Sequence, residues 1–310
     1  MRGAIETRRV DPAVTAADGS SAPALAASLP RIVARAHEIS ASVACGVHGR
    51  RRAGPGETFW QFRPFASGEA STRIDWRRSA RGDQLYVRER EWEAAHDYYL
   101  WIDASPSMGF ASSRAKDDKF GRALTLGLAL ANLLVRGGER VAALGLTAPV
   151  SARDIINRLV REMVAALTAP DEDSSIRADL PPPSSLRPRA RLLLISDFLV
   201  DPSVLSERLN AYAASGASGA LLMIVDPCEE TFPFAGETLF LDTDGGASFY
   251  AGDAQALRDD YEKLYGAHKS AIAAVAQRAG FHFLIHHTDR PASEAALALI
   301  MSLQGDEAKR

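Results

Sequence analysis

From about residue 96 onward, short uninterrupted apolar runs alternate with amphipathic segments at helical spacing, and this alternation restricts the fold more than any other feature. Tyr98–Ile102, Arg140–Leu146, Arg191–Ile195, Ala220–Val225 and Phe281–His286 read as strands. Asp118–Arg136, Ala152–Leu167, Pro202–Ser215, Ala254–Ala279 and Ala292–Leu303 read as helices between and after them, the first closed by Gly137-Gly138. A strand without polar alternation is buried on both faces, so the prediction is a doubly wound α/β domain with a mostly parallel sheet. Leu124, Leu128, Ala131 and Leu134, and likewise Ile155, Leu159 and Met163, form helical stripes that belong against the sheet. Tyr261, Leu264 and Tyr265 are expected in the core as well. An insertion at 227–252 holds a predicted hairpin, Thr238–Asp242 and Ala247–Ala251 around Asp244-Gly245-Gly246.

The segments ahead of that domain have weaker patterns. Residues 1–29, rich in Ala, Ser, Asp and Pro, read as a disordered leader. Residues 30–95 read as an N-terminal extension that packs on the main domain, residues 96–310. Pro30 is expected to open a short helix with Ile32, Val33, Ala36 and Ile39 on one face, and a strand is expected at Thr58–Phe65.

Charge narrows the partners. Across 310 residues, 36 basic and 39 acidic side chains give a formal net charge of −3, so the chain as a whole is no polyanion binder. Residues 50–90 hold ten Arg and five acids, a local +5 that includes Arg50-Arg51-Arg52. The acids are interleaved and no base-stacking module is present, so nucleic acid is not an expected partner. The two cysteines, Cys45 and Cys228, make no disulfide framework and suit a reducing compartment. The longest apolar run, Ala123 to Val135, falls short of the roughly 20 residues a membrane span requires. With no signal-peptide core at the N-terminus, a cytoplasmic protein is expected.

Ligands of such sheets collect at the carboxyl ends of the strands. The first strand exits into Asp103-Ala104-Ser105-Pro106-Ser107, and the central one into Ser196-Asp197-Phe198. One carboxylate and two hydroxyls on alternate residues of a tight loop can turn toward a common point, and a second carboxylate from a neighbouring strand end completes an oxygen-only site. Such a site suits a hard divalent cation, Mg²⁺ or Mn²⁺. Asp103, Ser105, Ser107 and Asp197 are therefore the candidate metal ligands; the bland alternative is that an Asp after a strand merely caps a helix. D-x-S-x-S followed by a later Asp is the pattern of a metal-ion-dependent adhesion site, which adds a Thr that has no clear counterpart here. Ser174 or Ser175 could supply that hydroxyl, with Thr168 a further candidate.

Catalysis is the main rival. Asp103 and Asp197 around a cation could run hydrolysis or phosphoryl transfer. Position 105 is Ser, however, so the D-x-D of aspartyl-nucleophile phosphatases is missing, and no G-x-S-x-G, phosphate-loop or H-E-x-x-H motif occurs. A metal site without a nucleophile or general base favours binding, and a non-enzyme is expected. His286-His287 reads as a partly exposed strand terminus.

The stretch before the first strand is more specific. It runs Gly56-Glu57-Thr58-Phe59, Arg63-Pro64-Phe65-Ala66-Ser67-Gly68-Glu69, Arg73-Ile74-Asp75-Trp76, Ser79-Ala80-Arg81 and Leu85-Tyr86-Val87-Arg88-Glu89, and Asp226-Pro227, Glu229 and Phe232-Pro233-Phe234 follow later. This resembles the bacterial family called domain of unknown function fifty-eight, most closely over Arg73–Arg81. The resemblance implies a von Willebrand factor A-like, Rossmann-type domain, and a partner that is a MoxR-type AAA+ ATPase. Such pairs are thought to act as chaperones in metal insertion or in maturing protein complexes. The expected function is a cation-dependent adaptor that binds an acidic residue of a client protein through the ion. Arg73, Asp75, Trp76 and Arg81 then form either a structural brace, with Trp76 semi-buried and Asp75 paired to an arginine, or a recognition patch.

Overall fold

The computed structural model describes residues 14–16, 22–48, 59–66, 69–82, 84–90, 95–169, 178–241 and 248–307. The chain divides into two compact units, one of residues 1–47 with 96–310 and one of residues 48–95.

The larger unit is built on five strands: β1 (Asp97–Ile102), β2 (Arg140–Ala143), β3 (Arg191–Ser196), β4 (Ser218–Val225) and β5 (Phe281–His287). They lie in the order β5-β4-β3-β1-β2, and every neighbouring pair is parallel. The helices are α1 (Ala22–His48), α2 (Lys119–Arg136), α3 (Ile155–Thr168), α4 (Pro202–Ala214), the short α5 (Pro227–Thr231), α6 (Arg258–Arg278) and α7 (Ala292–Glu307).

Strand side chains alternate between two cores. Tyr98, Leu100, Ile102, Leu193, Ile195, Leu222 and Ile224 pack with α1, α2, α3 and α7 on one face. Tyr99, Trp101, Leu192, Leu194, Leu221 and Met223 pack with α4 and α6 on the other. Both faces being covered is the reason the strands carry no polar alternation. Close approach matters at two glycines. A Cβ on Gly219 of β4 would lie 1.9 Å from the Leu192 carbonyl oxygen, and one on Gly127 of α2 would lie 2.6 Å from Ile102 Cδ1.

The N-terminal boundaries differ from the sequence expectation. Pro30 lies inside α1 and does not open it, the helix having begun at Ala22. Ile32, Ala36 and Val43 of α1 belong to the main core, and Asn132 of α2 donates to Ser40 Oγ at 2.7 Å. Residues 30–47 thus fold with the α/β unit, while 48–95 stand as a separate one. Within the expected leader, Val14–Ala16 pairs antiparallel with Phe110–Ser112. On α6, Leu264 is exposed where core was expected, whereas Tyr265 is buried. The hairpin forms as Thr238–Leu241 paired with Ser248–Ala251; its expected turn lies outside the described residues.

In the smaller unit, Phe59–Pro64 pairs antiparallel with Tyr86–Arg90. Asp75 caps the one-turn helix Trp76–Ser79, accepting the Arg78 N–H at 2.9 Å, and Ser79 Oγ ties the helix to the strand by accepting the Tyr86 N–H at 2.9 Å.

Candidate functional site

The chain passes from β1 to β2 on one side of β1 and then crosses to β3 on the other, which makes the gap beyond β1 and β3 the switch point of the sheet, where open α/β sheets bind ligands. Register delivers the expected residues there. Tyr98 to Ile102 lie beside Arg191 to Ile195, and the Asp103 N–H extends the ladder by donating to the Ile195 carbonyl at 2.9 Å. Asp103 thereby leaves β1 beside Ser196 and Asp197.

The Asp103 carboxylate is wholly buried. Its Oδ1 accepts the Ser105 N–H at 2.7 Å, and its Oδ2 accepts the Ser196 hydroxyl at 2.6 Å. Ser105 precedes a 3₁₀ turn at Pro106–Gly109, which brings Ser105 Oγ to 3.1 Å from Ser107 Oγ. Asp197 Oδ1 accepts the Leu199 N–H at 3.3 Å. Phe198, which follows it, is a buried non-glycine residue at φ +49°, a left-handed conformation with a steric cost. Its N–H donates to Ser196 Oγ at 2.8 Å, and its carbonyl bonds to His268 Nε2 at 2.8 Å.

Lys119 enters this group from the first turn of α2. Asp118 caps that helix by accepting the Gly121 N–H, and the Lys119 side chain turns inward. Its ammonium donates to Asp197 Oδ2 at 2.7 Å and to Glu229 Oε1 at 2.6 Å, and lies 5.7 Å from the centre of the Phe110 ring. Glu229 is fixed by the capping box of α5, its Oε2 accepting the Asp226 N–H at 2.8 Å. The side chain of Asp226 accepts from the Cys228 and Ser112 backbone N–H groups, both at 2.9 Å.

The electrostatics follow from burial. Burial and the Asp197 charge push the Asp103 carboxyl up to about 7, against the hydrogen bonds from Ser196 and Ser105. Burial also raises Glu229, although Lys119 opposes it. Burial works against the Lys119 ammonium, but Asp197 and Glu229 outweigh it and hold the amine above its ordinary range. Asp197 and Glu229 therefore share the Lys119 ammonium, while Asp103 is held by the Ser196 hydroxyl and the Ser105 N–H.

The donor set fits a hard divalent cation in two respects. An octahedral ion with ligands at about 2.1 Å separates adjacent oxygens by roughly 3 Å, and the two Ser hydroxyls stand at that separation. The carboxylate excess also leaves negative charge for a cation to neutralise. Hydroxyls are essential to the fit, because among the described residues no group of three or more His, Cys, Asp or Glu is set to hold an ion.

The other expected residues lie elsewhere. Ser174 and Ser175 fall outside the described residues. Thr168 is exposed and donates to the Val164 and Ala165 carbonyls of its own helix, at 2.8 and 3.2 Å. Trp76 is 63% exposed and not semi-buried, and Asp75 serves as a helix cap instead of the expected ion-pair partner. The Arg73 side chain lies outside what is described, while Arg81 is exposed. In that unit it is Arg78, not singled out by the sequence, that packs over the Phe62 and Tyr86 rings at 5.5 and 5.4 Å. His286 is buried, with Nε2 lacking a hydrogen-bond partner, and only His287 is partly exposed, against Glu230.

The class defined by this fold and site is a doubly wound α/β domain with an acidic, hydroxyl-bearing centre at its switch point. The chain belongs to the family described as Protein of unknown function DUF58, whose profile matches residues 61–271. It is 27% identical over 277 residues to uncharacterised proteins of Mycobacterium tuberculosis and Mycobacterium bovis, covering 86% of each chain. Among solved structures, a conserved hypothetical protein BatB from Bacteroides thetaiotaomicron aligns with TM-score 0.37 and 13% identity, over 68% of this chain and all of that one. An uncharacterised membrane spanning protein from Vibrio fischeri aligns with TM-score 0.19 and 14% identity, over 67% of this chain and 98% of that one. Among the described residues no helix is long and apolar enough to cross a membrane.

Proposed function

We propose that this chain is a von Willebrand factor A-like adaptor that binds partner proteins through a divalent cation held by Asp103, Ser105, Ser107 and Asp197. The observation that carries this reading is the gathering of those four side chains at the switch point, with the Ser hydroxyls spaced as neighbours in an octahedral shell. Mg²⁺ or Mn²⁺ bound there would supply an electrophilic position for an Asp or Glu of the partner. Asp103 is oriented by Ser196 and the Ser105 N–H, and Asp197 by the strained turn at Phe198, so both carboxylates are fixed in advance of binding. Ser107, partly exposed beside buried Ser105, marks the side from which a partner carboxylate approaches. The partner class we infer is a MoxR-type AAA+ ATPase together with the clients it matures, in the cytoplasm.

The test uses the purified chain and the nucleotide-free MoxR-type ATPase of the same genome, with association followed by biolayer interferometry in Mg²⁺ and in EDTA. Binding by wild type in Mg²⁺ alone, lost in an Asp103→Ala variant that still melts cooperatively, supports the adaptor. Binding indifferent to EDTA and to Asp103→Ala removes the cation from the interface. No association in either buffer overturns the ATPase as partner.

A further inference from the structure

We propose that Lys119 is a built-in competitor for the divalent cation, holding Asp197 in the metal-free protein and withdrawing to Glu229 when the ion binds. This rests on the reading of the strand ends as a cation site. Three observations carry it. Lys119 is 1% exposed and its ammonium donates at once to Asp197 Oδ2 and Glu229 Oε1, so one partner remains when the other is taken. Glu229 is anchored by the α5 capping box and is not among the candidate ligands, so it can keep the ammonium without distorting the site. The formal charges also close: with Lys119 kept by Glu229, the two ligand carboxylates Asp103 and Asp197 match a divalent ion and exceed a monovalent one. A lysine so placed lets Asp197 and Glu229 be held together without metal, at the expense of affinity for the metal.

Removing Lys119 alone would strand Asp197 and Glu229, so the informative variant is the double Lys119→Met/Glu229→Gln, in which Gln retains an acceptor for the Asp226 N–H. Mn²⁺ binding is measured by the electron paramagnetic resonance of the free ion, for wild type, the double variant, Asp103→Asn and the triple combination. The expected result is that the double variant binds about tenfold more tightly than wild type or better, because the ion no longer competes with an ammonium for Asp197, and that Asp103→Asn abolishes binding in both backgrounds. Equal affinity of wild type and double variant, both lost on Asp103→Asn, would overturn the competitor role and leave the cation site standing. No Mn²⁺ binding by either would overturn both. In wild type, the ¹⁵N-resolved ammonium signal of Lys119 should shift as Mg²⁺ is added; a signal unmoved at Mg²⁺ saturation refutes the proposal even if the double variant does not fold.

Discussion

Taken alone, Lys119→Met leaves Asp197 and Glu229 buried without their cation, and breaking a buried pair in this way costs about 3–5 kcal/mol. Adding Glu229→Gln removes one stranded charge, so the double variant should recover much of that loss. Urea midpoints for the two single variants and the double one check this, and additive losses would contradict it. Ser196 has a separate role: it donates to Asp103 and accepts the Phe198 N–H, so Ser196→Ala strips two buried hydrogen bonds and should cost roughly 1–3 kcal/mol in the same assay. Asp103, Ser105, Ser107 and Asp197 were legible because adjacent parallel strands must release their chains at one edge. Lys119 was not. One residue after an N-cap Asp, a lysine reads as surface, and only the packing of α2 against β1 and β3 turns it inward. The available signal was an imbalance: the strand-end segments carry Asp103, Asp197, Asp226 and Glu229 with no basic residue among them, and such a group requires a cation from elsewhere.

Four strands of the main sheet were readable almost to the residue, because continuous burial enforces continuous apolarity: β1, β3, β4 and β5 differ from expectation only at their ends, whereas β2 stops at Ala143, short of the expected Leu146. Helix α1 was misread for the opposite reason. Ala22 to Ser28 has high helix propensity but no apolar period, and Pro30 resembles a helix start, so nothing in the pattern marks the earlier turns. Where two elements meet, backbone and side-chain contacts should respond differently to an added methyl. Gly219→Ala drives a Cβ into the Leu192 carbonyl, which β3–β4 pairing holds in place, and should cost ~4 kcal/mol or more. Gly127→Ala meets the tip of Ile102, which can rotate, and gains helix propensity of about 1 kcal/mol, so its net cost should be smaller. Calorimetric melts of both variants decide the order; a larger loss for Gly127→Ala would refute it.

For the molecule as a whole, the pH dependence of stability should carry the imprint of His286. Burial, then Arg122 and His287, depress its imidazole from 6.5 to about 3, so it stays neutral in the fold while the unfolded chain takes up a proton. Unfolding therefore binds a proton between those values: stability is complete above pH 6.5 and declines as the pH falls toward 3. His286→Gln should flatten that decline, as read from urea midpoints at pH 7.5 and pH 5. An unchanged slope would assign the acid loss to other groups. The layering has a consequence for synthesis on the ribosome. Helix α1 and helix α7 share one core, with Ile32, Ala36 and Val43 in the same cluster as Ala296, Leu299 and Leu303. Helix α1 thus waits for α7, which is translated long after it, before their shared cluster is complete, and until then its apolar face is a natural client for the chaperones that meet nascent chains.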